Sequence, residues 1–177
     1  MKKVFTNSFF TITALIAVAA VARFFTPVPN FTPIAAIALF GAAYFSRKSL
    51  AFIIPLAALA ISNIWFGTFD LLTMAAVYIS FILAGVIGLW IGKKVSVTRV
   101  IGGALASSVV FFLITNFAAW IWLGGLGFYP MTFGGLMMSY VAGLPFFRNE
   151  VLGTLVYSGV LFGAYEFAKH RFPALAR

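Results

Sequence analysis

Cysteine is absent from the chain, and histidine occurs once, as His170. The first absence excludes a disulfide framework, a thiolate metal site and a cysteine nucleophile. The second excludes a multi-histidine metal centre within the chain. Only three acidic residues occur, Asp70, Glu150 and Glu166, and charged residues of both signs make up 8% of the sequence. No pair of carboxylates has the spacing for general acid and base work, and no Ser-His-Asp set can be assembled. The stretch "GGALASS" (102–108) lacks the lysine of a phosphate-binding loop. The chain therefore reads as a non-enzyme with no cofactor, no metal and no ATPase of its own. None of the three acids falls clearly inside an apolar segment, so a proton relay is not expected either.

What fills the space is apolar. Of 177 residues, 63% are hydrophobic, and the mean hydropathy is +1.10. A soluble domain is nearer half apolar and a quarter charged. Lipid must be the solvent for most of this surface, which predicts an all-α integral membrane protein embedded in the lipid bilayer. Its length suits one transmembrane domain over residues 1–177. The net charge of +9 does not point to nucleic acid, because the basic residues sit in short connectors and form no stripe.

Polar breaks divide the chain into apolar segments at about 8–25, 31–45, 49–66, 71–91, 100–123, 133–147 and 151–168. With the N-terminus in the cytoplasm and six transmembrane helices, ten basic residues lie inside: Lys2, Lys3, Arg47, Lys48, Lys93, Lys94, Arg99, Lys169, Arg171 and Arg177. Only Arg23 and Arg148 stay outside. This bias fits the positive-inside rule if both termini are cytoplasmic and the 133–147 segment does not cross. That segment is therefore expected to be a short re-entrant or interfacial piece on the outer side, with Pro145 disrupting any continuing helix. Asn149 and Glu150 would then start the last helix, and Asp70 would cap the fourth. The N-terminus also has the look of a secretory signal, and cleavage after Ala22 would leave five spans. Small residues recur four apart at Ala84, Gly88 and Gly92, at Gly102 and Ala106, at Gly103 and Ser107, and at Gly159 and Gly163. Such rows let helices pack closely, inside the bundle or against a partner.

The polar residues that remain cluster toward the outer side. They are Arg23, Asn30, Asn63, Asn116, Tyr129, Arg148, Asn149 and Glu150, with Trp65, Trp120 and Trp122 at similar depth. Arginines at span ends snorkel, tryptophans form interfacial belts, and asparagines bond between helices. Taken together, amides, aromatics and two arginines near one membrane face are also what lines a small-molecule pocket. An arginine can hold a carboxylate or phosphate bidentately. The candidate substrate-binding residues are Arg23, Asn30, Asn63, Asn116, Trp120, Tyr129, Arg148 and Asn149.

Several blocks carry a resemblance: "NFTPIAAIALFGAAYF" (30–45), "ISNIWFG" (61–67), "FFLITNFAAW" (111–120), "YPMTFGGLMMSYVAGLPFFRNEVLG" (129–153) and "LVYSGVLFGAYEFA" (155–168). They resemble a bacterial family of transport-type membrane proteins of unknown function. That family is similar to the substrate-binding S components of energy-coupling factor (ECF) transporters. The resemblance implies an S-component-like bundle of six helices in the inner membrane. It implies an outer-side pocket closed by the 25–33 loop, with "YPMT" and "PFFRN" as another wall. Asn63 stands where an aspartate is usual, and Glu150 where a threonine is usual. Ala14, Ala17 and Ala20 are three apart, whereas S components dock on an energising partner through alanines four apart. The expected function is binding or uptake of a small-molecule solute from the outer face. The alternative is an accessory or structural subunit of a larger membrane complex.

Overall fold

The computed structural model describes residues 2–25, 28–66 and 70–172, with the side chains of 2–8, 23, 65 and 66 outside that description. Six α-helices follow one another: α1 (Lys2–Ala22, extended by a 3-10 turn at Arg23–Phe25), α2 (Ile34–Tyr44), α3 (Lys48–Phe66), α4 (Leu71–Gly92), α5 (Val97–Gly125) and α6 (Phe133–Arg171). The starts of the last three are set by local chemistry. Asp70 Oδ1 accepts from the Thr73 amide at 2.8 Å, Ser96 Oγ from Arg99 at 3.3 Å, and Thr132 Oγ1 from Gly135 at 3.3 Å. Each satisfies an amide that a helix start otherwise leaves unpaired. Asp70 is thus the cap that its position before an apolar run predicts.

The short helix α2 is the centre of the bundle. Every residue from Ile34 to Ala43 is buried, and α1, α3, α4, α5 and α6 all pack on it. The close approach of α4 depends on glycine. A Cβ on Gly88 would stand 2.5 Å from the Leu39 carbonyl oxygen, and one on Gly92 would stand 2.7 Å from that of Ala43. On α5, Gly103 packs against the Ile91 side chain, whose Cδ1 would stand 2.6 Å from an added Cβ, and Ser107 is buried. These rows serve internal packing. Gly102, Gly159 and Gly163 differ, because a Cβ there would meet nothing within 4 Å.

Residues 133–147 are not a separate re-entrant or interfacial piece. They are the first turns of α6, which runs unbroken for 39 residues with Pro145 inside it. Proline removes one backbone donor and crowds the preceding turn. Contacts on both sides of the proline hold the helix to α5. Phe112 meets Tyr140 before it and Phe147 after it, at 5.5 and 4.6 Å between ring centroids. Tyr140 Oη donates to the Leu113 carbonyl at 3.0 Å, and Gly143 lies flat against the Asn116 amide. Continuity also removes the expected helix start at Asn149 and Glu150: both are mid-helix, and Thr132 is the cap.

Helix polarity follows from contacts. Phe9 stacks near Phe45 at 5.9 Å, so α1 begins where α2 ends. Tyr44 hydrogen-bonds Glu166, Lys48 Nζ donates to the Ala42 carbonyl at 3.0 Å, and Gly92 packs on Ala43. The start of α1, the end of α2, the start of α3 and the ends of α4 and α6 therefore meet at one end. Arg47, Lys48, Lys93, Lys94, Arg99, Lys169 and Arg171 gather there, which makes it the basic end of the bundle. Of the six transmembrane helices expected, α4, α5 and α6 are long and apolar enough to cross a membrane. The apolar stretches Phe9–Ala22, Ile34–Tyr44 and Lys48–Ile64 are shorter.

Candidate functional site

The residues expected to line an outer pocket lie mostly toward the end opposite the basic one, and most are tied to backbone. Asn149 Nδ2 donates to the Pro29 carbonyl at 3.0 Å, which binds α6 to the loop entering α2. Asn30 turns that loop in the left-handed region, at φ 61°, and its carbonyl accepts from Thr32 at 3.0 Å. Asn is one of the few side chains that enters this region readily. Asn116 Nδ2 donates to the Phe112 carbonyl at 2.8 Å, and its own carbonyl accepts from Ser139 Oγ at 2.9 Å. Trp120 Nε1 donates to Pro130 at 3.0 Å, next to the half-buried Tyr129 in the α5–α6 loop. Asn63 is on another helix pair, where it is buried and reaches the Met74 sulfur at 3.7 Å. Arg148 is exposed and pairs with no acid among the described residues. The side chain of Arg23, that of Trp65 and residues 26–27 of the expected lid lie outside the described residues. The structure thus joins Asn149 to the Asn30 loop and Asn116 to α6, and leaves Asn63 apart.

A cavity of about 660 Å³ lies near the opposite end, between the first turns of α5 and the last third of α6. Val100, Ile101 and Ala104 form one wall; Leu155 and Phe162 form the other. Gly159 and Gly163 leave room on the α6 side because no side chain fills it. The polar groups are few: Ser96, Glu166 and His170 border the space, and Ser158 reaches it from α6. The Ser158 residue is 1% exposed, and its Oγ has no hydrogen-bond partner. A buried hydroxyl without a partner costs about 1–3 kcal/mol, and a rotation that turned Ser158 Oγ toward the cavity would let an entering polar group relieve that cost.

The Glu166 charge at the rim is already matched. Tyr44 Oη donates to it, and Lys169 Nζ lies 3.0 Å from both carboxylate oxygens. The ammonium also stands over the Tyr44 and Tyr165 rings, at 5.7 and 5.9 Å from their centroids. Phe40, Tyr44, Phe162 and Tyr165 pack edge to face behind it. Glu150 is the second unexpected feature. It is 2% exposed, deep in the bundle, and its Oε1 accepts from Thr154 Oγ1 at 3.0 Å. Among the described residues no group of three or more His, Asp or Glu side chains is placed to hold a metal.

Sequence reasoning missed both features. The cavity is an absence of atoms between distant segments, and its only trace in the sequence is the Gly159–Gly163 pair. The burial of Glu150 became legible only with a continuous α6, which moves it from a helix start to mid-helix.

Among the described residues the chain is all-helical, and three of those helices are long and apolar enough to cross a bilayer, which marks it as a membrane protein in class. Its bundle wraps a buried central helix and holds a mostly apolar cavity at its basic end. The chain belongs to the Family of unknown function (DUF6580), whose profile matches residues 3–175. No curated protein and no solved structure matches it.

Proposed function

We propose that the protein binds a small organic solute in a bacterial inner membrane and serves its uptake. In this reading the fold is a six-span, S-component-like bundle with both termini and the basic end in the cytoplasm. The observation that carries the reading is the 660 Å³ cavity, with Ser158 among its lining residues and the buried, unpartnered Ser158 hydroxyl behind that wall. Its volume is in the range of small-molecule sites, and apolar walls with a few polar groups are their usual lining. The solute arrives at the outer end, past Arg148, Asn149, Trp120 and Tyr129, and is held toward the basic end. In this reading the Asn149–Pro29 and Trp120–Pro130 hydrogen bonds are contacts that entry at the outer end would have to loosen. The solute is therefore amphipathic, with an apolar body for the Val100–Ala104 wall and a polar group for Ser158.

The test is a thermal-shift and equilibrium-binding screen of the purified protein against a metabolite panel. A ligand whose affinity falls about tenfold or more, or about 1.4 kcal/mol, when Ser158→Leu fills the cavity supports the reading. Arg148→Ala should slow capture of the same ligand; unchanged capture removes Arg148 from its path. A panel without any binder, or a binder indifferent to Ser158→Leu, counts against it.

One observation favours a second reading, an accessory subunit of a larger membrane complex. Gly159 and Gly163 offer a small-residue row that nothing among the described residues covers. Stoichiometric co-purification of a membrane protein, lost on Gly159→Leu, would favour it over solute binding.

A further inference from the structure

We propose that Glu150 is a proton-exchange site inside the bundle, reached from the α5–α6 cavity through the hydroxyls of Thr154 and Ser158. The three residues are 2%, 0% and 1% exposed. They are spaced four apart on α6, so they share one face, each about 6 Å further along the axis. The same row continues through Phe162 to Glu166, and Ser158, Phe162 and Glu166 all border the cavity. Thr154 Oγ1 donates to Glu150 Oε1 at 3.0 Å. A hydroxyl that donates still has lone pairs to accept with, and the next donor along the row is Ser158. Its oxygen is buried and unpartnered, and one bridging water or one rotation of its side chain completes the row.

Among the described side chains no other charge faces Glu150. The described side chains of α1, Phe9–Ala22, include no titratable group. On α2 there is only Tyr44, engaged with Glu166. On α5 there is only Arg99, which donates to the Trp90 carbonyl and stands over that ring at 4.9 Å. The loop at 28–33 contributes none. On α6 itself Arg148 is exposed, Tyr140 donates to Leu113, and Tyr157 stacks on Phe31. Losing the proton would leave a carboxylate with one hydroxyl donor and no described cation facing it, which is expensive in apolar surroundings.

The transfer is a shift of O–H bonds. With Ser158 rotated toward the cavity, a water or hydronium there gives a proton to its hydroxyl; Ser158 then passes its own to Thr154, and Thr154 passes its own to the Glu150 carboxylate. Both hydroxyls are regenerated, one O–H bond forms on Glu150 and one breaks in the cavity. What occupies the cavity then governs access to Glu150, so an ion gradient can act on a solute bound there. That coupling rests on the uptake reading; the proton site does not.

Infrared spectroscopy of the purified full-length protein tests the site without a solute. The expected result is a carboxyl C=O band that titrates with pH, disappears in Glu150→Gln and shifts in Glu150→Asp. Its hydrogen–deuterium exchange should slow several-fold in Thr154→Val and in Ser158→Leu. A Glu150 carboxyl that does not titrate while the protein stays folded overturns the proposal. So does exchange that is unchanged in both hydroxyl variants, since Thr154→Val preserves volume and leaves only the proton path altered. Should Glu150→Gln fail to fold, the Glu150→Asp shift makes the assignment instead. A titrating Glu150 alongside a panel with no binder leaves the proton site standing and removes the solute.

Discussion

At the scale of single residues, the few polar side chains of this chain mostly hold backbone in place. Asp70 is the clearest. Partial burial pushes its carboxyl up, but the Thr73 side chain and the backbone amides of Thr73, Asp70 and Leu72 outweigh that and hold it below its ordinary value. A depressed folded value means the cap's contribution is present above the unfolded carboxylate range and is lost as pH falls through the folded value. Asp70→Ala should lower stability by about 1 kcal/mol at neutral pH, with a smaller difference from the parent in acid. Thermal unfolding in detergent at both pH values checks this, and an equal loss at the two would rule out the carboxylate as the source. Asp70 was legible in the sequence because capping is local: a carboxylate directly before an apolar run needs no knowledge of the rest of the fold. Glu150 was not legible, because its burial depends on α6 passing straight through Pro145. That outcome was decided by Phe112, Leu113 and Asn116 on another helix.

At the scale of elements, the small-residue rows divide into two kinds that look alike in sequence. Gly88 and Gly92 face α2 backbone, whereas Gly159 and Gly163 face open space. Backbone cannot swing aside as a side chain can, so overpacking at Gly88 must push α4 away from the central helix. Gly88→Val should lower the melting temperature strongly, by about 1–3 kcal/mol or more in stability. Gly163→Ala should be neutral, or stabilise by some tenths of a kcal/mol through helix propensity. Side-by-side melting curves of the two variants decide the point, and equal losses would mean that both rows are packed. The helix boundaries themselves were largely readable, because polar breaks in so apolar a chain leave little choice. The fusion of 133–147 with the last helix was not, since the local signal of Pro145 was outweighed by aromatic contacts between α5 and α6.

At the scale of the whole molecule, the open question is how the bundle sits in its membrane, and the absence of cysteine makes it answerable. The α5 and α6 helices measure about 43 and 58 Å at 1.5 Å per residue, against a hydrocarbon layer of about 30 Å. Part of this hairpin must tilt or project. Its loop carries Phe128, Tyr129 and Pro130, close to Trp120 and Trp122, side chains that favour the interface. The opposite end carries the gathered lysines and arginines, and the proposed orientation, by the positive-inside rule, would put that end in the cytoplasm. Because the chain has no cysteine, Lys94→Cys and Phe128→Cys each create a single thiol, both at exposed positions. A membrane-impermeant maleimide added to intact cells with the outer membrane opened should label Phe128→Cys and spare Lys94→Cys. Permeabilising the inner membrane should make both react. Labelling of Lys94→Cys in intact cells would invert the topology, and the cavity at the basic end would then open to the outside. Under the proposed uptake reading, entry would in that case begin at the Ser158 wall rather than at Arg148, and the proposed proton path to Glu150 would draw on the external medium.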